Sequence, residues 1–320
     1  MTRSFKQQCE ISWVQGKNVC VGLDPDIDRL PLHLKSPYGK EQDIFDFLKA
    51  IVDSTAKVAG AFKPNFAFFE KYGSKGVQIY MLICQYIKTF HKDILLICDA
   101  KRGDIGDTNI GSADFFFERC NADAVTVSGY LGPESLAPFL NRTDKGVFVL
   151  CRTSNPGSGE FQSRQVVVST EEAEIFGLPS ARHDSLEMTL EEHRQENARK
   201  KVVHQMPLFQ FVAAQVSRVW SKKNHNCGLV VGATYAHDIP NVRKVAPDLP
   251  LLIPGVGKQG GDLETSVKAA AGNRFFVNSS SGILYPPQGK DSKDFAEAAL
   301  ARTTELSGKV RALVNEYGVV

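Results

Sequence analysis

The chain is predicted to fold as a single (β/α)8 barrel spanning residues 1–320. Three observations lead there: about eight short apolar runs recur along the sequence, amphipathic segments separate them, and no stretch turns all-helical or all-β. The runs are continuous rather than alternating, as parallel strands buried on both faces should be. A length of 320 residues would also accommodate two small domains. The unbroken alternation, with no repeat, low-complexity tract or Gly/Ser linker, favours one barrel over two doubly wound halves.

Taken in order, the strand candidates are NVCVGLD from Asn18, GAFKPN from Gly60, ILLICDAK from Ile94 and DAVTVSG from Asp123. They continue as GVFVLCRTS from Gly146, CGLVVGAT from Cys227, LLIPGVG from Leu251 and FFVNSSS from Phe275. Between them, Ile44, Leu48, Ile51, Val52 and Thr55 mark one face of a helix ending before Gly60. Val77, Tyr80, Met81, Cys84 and Ile87 mark a second, and Leu208, Phe211, Val212, Gln215, Val216 and Val219 a third. A C-terminal helix carries Phe295, Leu306, Val310, Leu313 and Val314. The rhythm breaks only from Glu160 to about His204, which is polar, charged and poor in strand signal. It reads as a solvated insertion with a short charged helix near Leu190 to Lys201, or as a lid.

Composition narrows the partners. A net charge of +2 provides no basic field for nucleic acid or anionic membrane. The apolar runs are too short to span a bilayer, and the first residues, MTRSFKQQCEISW, lack a signal-peptide core, so a cytoplasmic protein is expected. Seven cysteines without a Cys-x-x-Cys pair, several of them in strand-like runs, read as reduced core residues. The seven histidines form no ligand cluster, so no metal site is expected.

In a barrel of this kind the site lies at the C-terminal strand ends, where the following loops converge. Asp24, Lys63, Asp99, Lys101 and Asp104 all stand at such ends. Asp99 and Lys101 are two apart on a strand and so share a side, Asp104 follows in the turn, and Lys63 closes the neighbouring strand. Alternating charges in a low-dielectric cleft are costly unless each is paired. One such pair would be read as a structural ion pair; four on adjacent strand ends read as a site. The turn PGVGKQGGD, Pro254 to Asp262, offers backbone N–H groups before a helix, a setting suited to phosphate. TSNPGSG, from Thr153, fits turn chemistry and ligand contact equally well.

With Asp99-x-Lys101-x-x-Asp104 after the third strand, Lys63 in FKPN after the second, GLDPD after the first and PGVGKQGGD after the seventh, the chain resembles the orotidine 5′-monophosphate decarboxylase family over nearly its whole length. The resemblance implies a metal-free and cofactor-free loss of CO2 from the pyrimidine nucleotide, giving uridine 5′-monophosphate in de novo pyrimidine synthesis. It implies Lys101 as proton donor, Asp99 and Asp104 holding it and pressing on the substrate carboxylate, and Lys63 pairing with Asp99 and reaching the ribose. It further implies Asp24 at the ribose, Ser154 near the pyrimidine amide, and Pro254, Gly257 and Gln259 in the phosphate loop, with Ser280 and Ser281 after the eighth strand. Asp104 and Thr108 would enter a neighbouring subunit's site, making the protein a homodimer.

One position departs from that pattern. The family usually ends the eighth strand near N-x-S-R-G with a phosphate-binding arginine, whereas this chain reads NSSSGIL with Ser281 there. Losing a hydrogen bond to a charged group costs roughly 1.5–3 kcal/mol, on the order of 10- to 100-fold or more in substrate use, unless Lys258 offsets it. Arg274 precedes the strand and is expected at its far end. The rival readings are a Mg²⁺-dependent sugar-phosphate enzyme ligating through Asp24, Asp99 and Asp104, a Schiff-base aldolase using Lys63 or Lys101, and a nucleotide-binding protein without turnover.

Overall fold

All eight apolar runs form strands. In chain order they are β1 (Val19–Gly22), β2 (Ala61–Lys63), β3 (Leu95–Arg102), β4 (Ala124–Val127) and β5 (Gly146–Arg152). After two strands outside the barrel, β6 (Gln165–Val168) and β7 (His204–Pro207), come β8 (Cys227–Val231), β9 (Leu251–Pro254) and β10 (Phe275–Ser279). The computed structural model describes residues 3–34, 39–178, 204–256, 260–270, 272, 274–286 and 294–317. Its barrel closes in the order β1-β10-β9-β8-β5-β4-β3-β2, and every pairing within it is parallel.

Strand alternation divides the core in two. Cys20, Ala61, Leu95, Ile97, Ala124, Phe148, Leu252 and Phe276 form an inner cluster. Val19, Val21, Leu96, Cys98, Val125 and Val127 pack with the surrounding helices. Phe5, Cys9 and Trp13 of the helix Phe5–Val14 join the inner cluster, with Phe5 edge-on to Phe148 and Trp13 against Phe276, both at 5.5 Å between ring centroids. This helix plugs the end of the barrel away from the site. Its sequence signal was present in Ser4-x-x-Gln7, a capping box in which each side chain bonds the other's backbone N–H.

The helices differ from expectation in which face they bury. Lys40–Thr55 buries Ile44, Leu48, Ile51, Val52 and Thr55 as predicted. Gly73–Phe90 buries Tyr80, Cys84 and Ile87 together with Ile79 and Ile83, leaving Val77 and Met81 half-buried. Leu208–Gln215 buries Phe209, Ala213 and Ala214 and leaves Phe211 and Val212 half-buried, with Phe211 edge-on to Phe176 of the excursion after β5. A π-turn over Val216–Trp220 then rotates the helix and leaves Val219 exposed. Phe295–Tyr317 buries Ala299, Thr303 and Ser307 between Phe295 and Val310, while Leu306, Leu313 and Val314 pack half-buried against the same core.

The excursion after β5 is not devoid of strand. Gln165–Val168 pairs antiparallel with His204–Pro207, and the helix Thr170–Phe176 begins at a Ser169/Glu172 capping box. Only the Val166-Val167-Val168 run betrayed this in the sequence. The helix expected near Leu190 to Lys201 lies outside the described residues. Arg152, at the end of β5, ties the excursion down: its Nε donates to Asp238 at 2.8 Å, its guanidinium donates to Ser158 Oγ at 2.9 Å, and it lies 3.6 Å over the Tyr235 ring. All seven cysteines are buried and free. Arg274 pairs with Asp248 at 2.7 Å on the far side of the barrel from the strand C-termini, as its position predicts.

Candidate active site

The parallel register brings the C-terminal ends of β1, β2 and β3 side by side: Gly22 pairs with Lys63, and an isolated bridge joins Asn65 to Asp99. On that rim Asp99 is clamped between two ammonium groups, Lys63 Nζ at 2.7 Å on one carboxylate oxygen and Lys101 Nζ at 2.6 Å on the other. Thr126 of β4 donates its hydroxyl to Asp99 at 2.9 Å and accepts the Lys101 backbone N–H at 3.0 Å. Sequence reasoning missed Thr126, because a threonine in a strand carries no chemical signature until its neighbours are known.

The two lysines are not equivalent. The Lys63 side chain is 4% exposed and that of Lys101 48%, so Lys63 is a built-in counter-charge while Lys101 reaches into open space. Burial pushes the Asp99 carboxyl up, but the Lys63 and Lys101 charges outweigh it and hold Asp99 well below the usual carboxylate range. Burial pushes Lys63 down, and the charges of Asp99 and then Asp24 overcome this and raise it. Asp99 and Lys63 thus hold each other in the charged form, and both lysines of the expected array pair with Asp99.

Asp104, the fourth, is not among them. The chain leaves β3 at Arg102, and Asp104 stands exposed on the following turn, its carboxylate accepting from the Ile105 N–H at 2.7 Å. The turn is held by buried Asn109, which donates to Asp104 O at 2.5 Å and to Ser135 O at 2.6 Å. Thr108 is also exposed and borders a separate, shallower cavity of about 300 Å³ with Phe66, Arg102 and Phe115. Within one chain neither residue reaches the array.

The array opens into a cavity of about 990 Å³ at the strand C-termini. Asp24, Ser154, Pro254, Ser280 and Ser281 all line it with Lys63, Asp99 and Lys101, while Gly257 and Gln259 lie outside the described residues. Asp24 Oδ1 and Ser280 Oγ are buried without a hydrogen-bond partner, an expensive condition that a polar ligand would relieve. Gly22 permits the β1 and β10 ends to approach: a Cβ there would meet Ser280 Cβ at 2.5 Å. Asn278 on β10 and Arg29 in the first loop also face the cavity, and neither was anticipated.

Among the described residues no three potential ligand side chains converge in this cavity. Both Asp99 oxygens are engaged by lysines and Asp104 points elsewhere, so the carboxylate set required by a Mg²⁺ reading does not assemble. What the arrangement offers is a fixed ammonium beside a fixed carboxylate, with the unpartnered oxygens of Asp24 and Ser280 in the same cavity.

The chain is 40% identical to an orotidine 5′-phosphate decarboxylase of Cupriavidus necator, covering 98% of each chain. Among solved structures it is similar to Leishmania donovani OMP decarboxylase, with 30% identity, a TM-score of 0.70 and coverage of 97% of this chain and 99% of that one. It also matches Leishmania donovani UMP synthase at 30% identity and a TM-score of 0.72, covering 98% of this chain but spanning only 56% of that longer one. Residues 17–285 match the family described as Orotidine 5'-phosphate decarboxylase / HUMPS, and the chain belongs to that family.

Proposed function

We propose that this chain decarboxylates orotidine 5′-monophosphate to uridine 5′-monophosphate in pyrimidine biosynthesis, using its own side chains and no cofactor. The observation that carries the reading is Asp99 clamped between a buried Lys63 and a half-exposed Lys101 at the mouth of a 990 Å³ cavity. Loss of CO2 breaks the bond from C6 of the pyrimidine to its carboxylate and leaves the electron pair on C6. An ammonium held beside that carbon stabilises the pair and then gives it a proton. Lys101 is the group that can do both, since Lys63 is enclosed; the neutral amine left behind regains its proton from water.

Asp99 supplies the second half of the chemistry. A carboxylate that stays ionised next to the substrate carboxylate repels it, and the repulsion vanishes as CO2 departs, so the contact favours the transition state over the bound substrate. Asp24, with its bare oxygen, accepts from ribose hydroxyls, and Ser154 faces the pyrimidine amide. The phosphate lies at the β9 and β10 ends near Pro254, Ser280 and Ser281, joined by Gly257 and Gln259, without the arginine that Ser281 replaces. Asp104 and Thr108 serve the site of a second copy, which fits their exposure here and makes the working unit a homodimer. The chain acts as one cytoplasmic barrel domain.

The test is steady-state decarboxylation of orotidine 5′-monophosphate in excess chelator, over a wide substrate range, with Lys101→Ala beside the parent. Turnover that survives chelation and is lost in Lys101→Ala supports the proposal. Absence of turnover at every concentration, or its loss on chelation, overturns it.

A further inference from the structure

The turn that follows β5 is held on three sides by the chain itself. Gly232, at the end of β8, donates its N–H to Arg152 O at 2.6 Å, Thr153 donates its N–H to Gln162 Oε1 at 2.9 Å, and Thr234 donates its hydroxyl to Ser154 O at 3.1 Å. The Gln162 amide grips Thr153 twice, since its Nε2 also donates to Thr153 Oγ1 at 2.8 Å. Buried Arg152 fixes which way that amide faces. Its guanidinium donates to Ser158 Oγ at 2.9 Å and more weakly to Gln162 Oε1 at 3.5 Å, so the amide oxygen meets two N–H donors and the NH2 is left for the hydroxyl. On the other side the main chain of Ser154 lies against Gly232, where a Cβ would meet Ser154 Cα at 2.8 Å. Ser154 lines the cavity, yet its own N–H and hydroxyl take no hydrogen-bond partner among the described residues.

We propose that Gln162, oriented by Arg152, is a positioning residue for base selection: it sets the turn so that Ser154 presents a donor N–H and an adaptable hydroxyl to the amide edge of the pyrimidine. This rests on the placement of that edge at Ser154 in the proposed function. A main-chain N–H only donates, so it matches a carbonyl at position 4 of the ring, as in uracil, and opposes the amino group that cytosine carries there. A site built to hydrogen-bond one group rejects the other only while its donor stays in place. Without the two Gln162 bonds Thr153 is free to rotate, and the Ser154 N–H that follows it turns with it. Gln162 closes the short helix Gly159–Gln162, the first element of the excursion after β5, and does not itself line the cavity. It acts through Thr153 and Ser154, which gives the excursion a part in substrate choice without contact to the substrate.

The experiment measures binding of uridine 5′-monophosphate and of cytidine 5′-monophosphate to the full-length protein by titration calorimetry, beside decarboxylation of orotidine 5′-monophosphate, in the parent, Gln162→Ala and Gln162→Glu. The parent should prefer the uridine nucleotide by at least about 10-fold, and Gln162→Ala should lose most of that preference by weakening the uridine nucleotide about 10-fold and the cytidine nucleotide little. Gln162→Glu, whose carboxylate still accepts from the Thr153 N–H, the Thr153 hydroxyl and Arg152, should keep the preference within about 3-fold. No preference in the parent, an equal loss for both nucleotides, or an unchanged ratio in Gln162→Ala would overturn the proposal. Should Gln162→Ala not fold, Gln162→Met, of similar length and without the amide, applies the same test. Because the ratio comes from binding, it is read independently of turnover: a parent that selects the uridine nucleotide through Gln162 but does not decarboxylate would overturn the proposed activity and support this inference.

Discussion

Replacing Asp99 with asparagine keeps the shape of the residue and removes its charge. The carboxylate receives hydrogen bonds from Lys63 at 2.7 Å, Lys101 at 2.6 Å and Thr126 at 2.9 Å, and an amide must turn an NH2 toward one of those donors. Lys101 can move out to solvent; Lys63, with a side chain 4% exposed, cannot. Breaking a buried pair by removing one partner costs about 3–5 kcal/mol. Unfolding entropy of about 2.1 cal/mol/K per residue puts a chain of this length near 0.7 kcal/mol per degree, so Tm at pH 7 should fall by roughly 4–8 °C. The pH dependence follows from linkage. Because the folded Asp99 lies below its ordinary value of 3.8, its contribution is present above that value and is lost as pH falls toward the folded one. The difference in Tm between parent and Asp99→Asn should therefore be constant through neutral pH and shrink below about pH 4. Lys63, raised above its ordinary 10.5, contributes fully below 10.5 and loses that contribution only in stronger base. Scanning calorimetry from pH 3 to 9 measures this. A fall under about 1 °C at pH 7, or a difference that widens toward acid, would refute the view that these charges are paired at a cost the fold must balance.

Three other outcomes follow from the same geometry. Ser281→Arg should lower KM for orotidine 5′-monophosphate by about 10- to 100-fold with little change in kcat, by adding a charged hydrogen bond of about 1.5–3 kcal/mol to the phosphate; unchanged steady-state constants would show that the phosphate is held elsewhere. Thr126→Val should leave the chain folded and reduce kcat about 10-fold, because one hydroxyl fixes both the Asp99 carboxylate and the Lys101 backbone and a neutral hydrogen bond contributes about 1 kcal/mol; a change confined to KM would contradict this. Asn109→Ala strips two carbonyls of their buried donor and should cost about 1–3 kcal/mol in urea unfolding; if the turn carries Asp104 into a second subunit, turnover per chain should fall with it, which assays across a dilution series would detect.

The barrel was legible because parallel strands buried on both faces must be apolar throughout, and eight such runs cannot hide in 320 residues. Lys63, Asp99, Lys101 and Asp24 were legible for the converse reason: charge at the end of an apolar run contradicts its surroundings unless it does something. What escaped was set by partners distant in sequence. Phe5 and Trp13 become core only when a barrel end exists to receive them. Thr126 becomes part of the site only when β4 lies beside β3. The C-terminal helix buries Ala299, Thr303 and Ser307 along with Phe295 and Val310, and small side chains on a buried face become visible only once the neighbouring elements are in place.

The inference about Asp99 and Lys101 reached the right contact by an incomplete route. Alternation puts residues two apart on one face only while the strand stays regular, and β3 does not: its register with β4 shifts between Cys98 and Arg102, and Lys101 adopts a left-handed φ of 49°. A non-glycine residue held there costs of order 1–3 kcal/mol. The Lys101 N–H bonded to Thr126 and its ammonium bonded to Asp99 both act to keep it so. The side chains of the site therefore hold the backbone that presents them, and the backbone in turn aims Lys101 into the cavity while Lys63 stays enclosed. Substitutions that weaken either bond should relax Lys101 toward ordinary strand geometry, so their cost to turnover should exceed their cost to stability. That inequality separates a strained, preorganised site from an ion pair that only supports the fold.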